Sequence, residues 1–153
     1  MNFTFYATPF KDAPATPSGF SLALRAKTHS KAADIRLLIT LAAQNEHFGK
    51  PLEAGKHFLL VELSREPKAR FYMKLTVLED PREDALMLQP STRGAVCALS
   101  DVWLPGPFVD SVPAAKMPVT STDRANNALI LELPKWAILP PMKAGEGQSL
   151  MGD

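Results

Sequence analysis

Apolar residues in this chain come in short runs at 2–8, 20–27, 34–43, 56–64, 70–78, 95–104 and 128–133, with proline, glycine and polar residues between them. Proline removes a backbone donor and fixes φ, so it punctuates the chain rather than sitting inside central strands. Short runs at regular spacing with turn residues between them predict a mainly β fold, an antiparallel sandwich or barrel. The clearest pair is 56–64 and 70–78. Phe58 and Leu60 alternate with Leu59, Val61 and Leu63; Phe71, Met73, Leu75 and Val77 alternate with Tyr72, Lys74, Thr76 and Leu78. The polar connector 65–69 makes these an antiparallel hairpin.

Residues 30–45 fit two patterns. Ile35, Leu38, Ile39 and Ala42 lie on one helical face, with Ser30 as N-cap and Gly49 as terminator. Ile35, Leu37, Ile39, Leu41 and Ala43 also alternate as a strand does. With a helix near residues 30–45 the class becomes α+β, and the pattern leaves both open. Residues 105–127, rich in Pro, Ser and Thr without sustained period, read as one long loop, and long ordered loops often carry function. Residues 144–153 read as a flexible C-terminal tail on a single domain at 1–143.

Composition changes this picture little. A length of 153 residues suits one domain, and 46% hydrophobic with 22% charged residues excludes disorder throughout. One cysteine, Cys97, makes no intramolecular disulfide. No run approaches the ~20 apolar residues of a membrane helix, and residues 1–10 lack the basic start of a signal peptide, so a cytoplasmic, non-membrane protein is expected. The net charge of +1 is unevenly spread: residues 1–74 hold eleven Lys and Arg against six Asp and Glu, residues 75–153 six against ten. Such a split steers a charged partner if it survives in space.

Candidate chemistry is sparse. His29, His47 and His57 match no zinc spacing. Gly49 to His57 glances at a phosphate loop, but five residues separate Gly49 from Gly55 and His57 occupies the hydroxyl position. The carboxylates Glu79, Asp80, Glu83 and Asp84 lack calcium-loop spacing. Cys97 sits in an apolar run and reads as a core residue, and no serine sits in a nucleophile elbow. No metal, cofactor or catalytic residue is expected.

Two binding features remain. Trp103, Phe108 and Val109 surround the rigid Pro105-Gly106-Pro107, and Trp136 lies among prolines. Rigid aromatic loops are hot-spot material, although tryptophans also roof cores, and Phe108 can point outward or fold back. Lys68, Arg70, Tyr72 and Lys74 interleave cations with an aromatic; on a strand Arg70, Tyr72 and Lys74 would share a face, as in a single-stranded nucleic-acid platform. The leading expectation is therefore a non-enzymatic protein acting through protein–protein contacts, as inhibitor, adaptor or assembly component. Its partner is another protein, or itself as a homo-oligomer. An OB-like domain for single-stranded nucleic acid is the alternative.

Overall fold

A computed structural model describes residues 19–104, 108 and 110–141. Ten strands follow in chain order: β1 (Phe20–Arg25), β2 (Asp34–Ile39), β3 (Phe58–Leu63), β4 (Tyr72–Leu78), β5 (Ala85–Met87), β6 (Gln89–Pro90), β7 (Val96–Asp101), β8 (Val112–Met117), β9 (Val119–Asp123) and β10 (Ala128–Glu132). They form two antiparallel five-stranded sheets, ordered β6-β7-β2-β1-β8 and β5-β3-β4-β10-β9. The mainly β expectation holds, and so does the hairpin: β3 and β4 pair from Phe58↔Leu78 to Leu63↔Met73.

The edge strands of one sheet run directly into those of the other. Leu88 alone separates β5 from β6, and Pro118 alone separates β8 from β9. Each bent pair belongs to one sheet on one side of its corner and to the other sheet beyond it. Counting each bent pair once, eight strands circle the molecule, so the sandwich is also a flattened barrel without a lateral free edge. A barrel of this strand number has an interior that side chains fill. Here the filling is Leu22, Leu24, Ile35, Leu37 and Ile39 from the first sheet and Leu59, Met73, Leu75, Leu129 and Leu131 from the second, all at most 3% exposed. Burying each such side chain contributes roughly 1.5–3 kcal/mol before chain entropy is counted.

The ambiguous segment resolves as both patterns in succession. Residues 34–39 are strand; at Thr40 the chain turns into α1 (Leu41–Ala43), which continues as a wider helical turn, Gln44–Phe48. The N-cap is Thr40 rather than Ser30, because the Thr40 hydroxyl accepts from the amides of Ala43 (3.3 Å) and Gly19 (2.9 Å). Gly49 ends the helical turn at φ +74°, as its position predicts. The long loop expected over 105–127 is corrected: its second half is β8 and β9, strands that pair with β1 and β10. Pro113, Pro118 and the polar run Thr120 to Asp123 hide them from a pattern search, because corner strands bury little. Strand β4 begins at Tyr72, so Arg70 and Phe71 belong to the preceding turn, and Phe71 is 39% exposed rather than sharing the buried face of Met73. The expected strand at 2–8, the Pro105-Gly106-Pro107 turn, Val109 and the tail at 144–153 lie outside the described residues.

Each sheet takes strands from both halves of the sequence: β1 and β2 lie with β7 and β8, β3 and β4 with β5, β9 and β10. The charge surplus of residues 1–74 is thereby interleaved with the deficit of 75–153 rather than gathered on one side.

Candidate functional site

The two sheets differ on their outer faces. In the second sheet the register fixes which side chains point away from the core. Leu59↔Val77, Val61↔Leu75 and Leu63↔Met73 point inward, so Phe58↔Leu78, Leu60↔Thr76 and Glu62↔Lys74 point outward. Strand β10 adds Ala128, Ile130 and Glu132 outward, opposite Thr76, Lys74 and Tyr72. Strand β5 adds Ala85 and Met87, opposite Leu60 and Phe58. Phe58, Leu60, Leu78 and Ile130 are half-buried yet lie outside the core cluster, while Met87 is 68% and Tyr72 40% exposed. The result is an apolar field of Met87, Phe58, Leu78, Leu60 and Ile130. Glu62, Lys74, Tyr72 and Glu132 border it.

The first sheet shows its polar side. Outward positions there include Ser21 and Lys116, Arg36 beside Ala23 and Leu99, and Arg25 beside Asp34 and Asp101. Arg25 Nη2 donates to Asp34 Oδ2 at 2.5 Å, and this bond, followed by charge attraction, raises the guanidinium above its ordinary pKa. Antiparallel sheets ordinarily present one apolar and one solvated face. The first sheet follows that rule, and the second is apolar on both faces.

The candidates read from sequence are distributed elsewhere. Trp103, Phe108 and Trp136 are partly buried and pack against the core. The Trp103 indole N–H donates to the Ala137 carbonyl at 3.1 Å, tying the end of β7 to the turn at Lys135–Ala137. These three aromatics therefore roof the core, one of the two positions open to them. Lys68 is exposed in the β3–β4 turn, and Arg70 stacks 4.4 Å from the Phe71 ring centroid while donating to the Leu139 carbonyl at 3.4 Å. Tyr72 and Lys74 do share an outward face. Glu132 stands opposite Tyr72 and Glu62 opposite Lys74, so carboxylates accompany the aromatic and the cation.

The remaining polar features are structural. An open depression at Lys50, Glu53, Lys56, His57 and Glu79 covers the segment that glanced at a phosphate loop. Its lysines are paired, Lys50 with Glu79 and Lys56 with Glu53, each at 3.4 Å. His57 is buried, and its Nδ1 accepts from the Glu53 amide at 2.8 Å, closing the loop. Among the described residues no group of three or more His, Cys, Asp or Glu side chains is placed to hold a metal. Cys97 is free and buried. No described helix is long and apolar enough to cross a membrane.

No protein-family model matches the chain, and neither a curated protein nor a solved structure matches it.

Sequence reading missed the apolar field for an identifiable reason. The run Phe58-Leu59-Leu60-Val61 is apolar at both parities, which marks a strand covered on both sides but does not say by what. Met87 carried no signal, because Ala85–Met87 is too short to register as a strand.

Proposed function

We propose that this protein is a non-enzymatic binding protein that docks another polypeptide on the outer face of its second sheet. One observation carries the reading. Strands β3, β4, β5 and β10 already fill the core with their inward residues, yet their outward residues form a second apolar field around Phe58 and Leu60. Contiguous exposed apolar surface on a folded protein marks an interaction site, and the mixed polar border of Glu62, Lys74 and Glu132 supplies the wet rim such sites have. Strand addition is not the mode, because both edges of the sheet continue into the other sheet. Docking is face to face, with Met87 and Phe58 as central anchors. A lone, buried Cys97 requires no oxidising compartment, which suits a cytoplasmic setting.

A nucleic-acid role for Tyr72 and Lys74 is the weaker reading. A phosphate backbone crossing this face would meet Glu62 and Glu132 beside the one cation, and base stacking requires aromatics on neighbouring strands.

Site-specific photo-crosslinking tests the proposal. A benzophenone side chain at position 87 is expected to give a covalent adduct in cells expressing the protein. The same probe at Arg36, on the outer face of the first sheet, is expected to give none. Equal yields from the two positions, or none from 87, would contradict the docking face.

A further inference from the structure

We propose that the polypeptide seated on this face is a second copy of the same chain, the two outer faces stacking about a two-fold axis. The inference rests on the docking-face reading and supplies its occupant. Two features favour self-association. First, the surface to be covered is a twisted antiparallel sheet, and the natural complement to an apolar sheet face is another at the ~10 Å spacing at which side chains interdigitate. Second, the border carries both signs of charge within one register block: Glu62 and Ile130 flank Lys74, while Glu132 flanks Tyr72.

A partner carrying one sign of charge would set like against like at Lys74 or at the two glutamates. Two-fold symmetry avoids this, since every contact from i to j recurs from j to i. Lys74 of each copy then meets Glu62 or Glu132 of the other, and two reciprocal ion pairs bracket a shared centre of Phe58, Leu60, Leu78 and Met87. The closed edges exclude the competing route to a dimer, in which sheets join edge to edge.

Sedimentation of the full chain at about 100 µM, above the Kd of most specific dimers, is the test. Wild type is expected to sediment as a dimer. Met87→Glu and Lys74→Glu are each expected to shift it toward monomer by about thirtyfold or more in Kd, the loss typical of a central contact. Both residues are exposed, so circular dichroism melts should match wild type and separate lost association from lost folding. Mixing Lys74→Glu with the double variant Glu62→Lys, Glu132→Lys is expected to restore a heterodimer, which no other occupant explains. A monomeric wild type overturns the inference, as does a dimer that both single variants leave intact. A monomer whose position-87 probe captures a different protein defeats the second copy but keeps the docking face; a monomer with no adduct defeats both.

Discussion

The side chain of Gln44 spans fifty positions of sequence, its amide nitrogen donating to the Gly94 carbonyl at 3.1 Å. The same nitrogen donates to the Ile39 carbonyl at 3.0 Å, and the Gln44 oxygen accepts from the Leu52 amide at 2.8 Å. Gln44 is fully buried, so these bonds are made away from water and hold the helical segment, the loop after it and the start of β7 together. Replacing Gln44 by Leu keeps the volume but strands three backbone groups. Each stranded group costs about 1–3 kcal/mol, so Gln44→Leu should lose at least about 3 kcal/mol in urea unfolding. A loss below about 1 kcal/mol would show that water or a shifted backbone takes over these bonds.

Trp103 and Phe108 give a second prediction. Trp103→Phe removes the bond to the Ala137 carbonyl and should cost about 1 kcal/mol plus the lost ring area. Phe108→Ala removes a ring packed on the core and should lower the melting temperature, by up to the ~3–5 kcal/mol of a full Phe deletion and less for its partial burial. An unchanged melt for Phe108→Ala would return this residue to the exposed loop aromatic that its sequence also allowed.

His57 carries a tautomer prediction. Because Nδ1 accepts from the Glu53 amide, the proton of the neutral ring must sit on Nε2. Nitrogen-15 shifts of the imidazole should report the Nε2–H form at neutral pH. His57→Phe should speed hydrogen exchange at the Glu53 amide by about tenfold, the equivalent of one modest hydrogen bond. Nδ1–H shifts, or unchanged exchange, would mean that the loop is closed by other contacts.

The nucleic-acid alternative is open to a direct check. With Glu62 opposite Lys74 and Glu132 opposite Tyr72, fluorescence polarisation with single-stranded DNA and RNA at low salt should show no binding. Binding that falls steeply with salt, and that Tyr72→Ala weakens by ~1–3 kcal/mol, would establish the platform after all.

Much of the fold was legible because alternation records burial. Strands β1, β2, β3, β4, β7 and β10 each bury one parity against the core, and each lies within an apolar run of the sequence. The corners were not legible. Strand β8 contains Pro113 and two alanines, β9 is Val followed by polar residues, and their place in the ring depends on pairing with β1 and β10 rather than on local pattern. The segment at 34–48 failed to declare one state because it has two, divided by the cap at Thr40. The candidate site stayed hidden for a related reason. Periodicity separates the two faces of Phe58–Leu63, but only the arrangement of sheets says that Leu59 meets the core and Leu60 does not.

Methionine oxidation tests the docking face most directly, since Met87 lies at its centre at 68% exposure while Met73 and Met117 are buried at 0% and 2%. Hydroxyl-radical footprinting with mass spectrometry would compare dilute purified protein with protein inside cells, normalised to the exposed His29 between β1 and β2. In dilute solution Met87 should oxidise well ahead of Met73 and Met117. In cells, the docking face requires Met87 to be protected by severalfold while His29 is not. Oxidation of Met87 in cells at its dilute-solution rate would contradict the account.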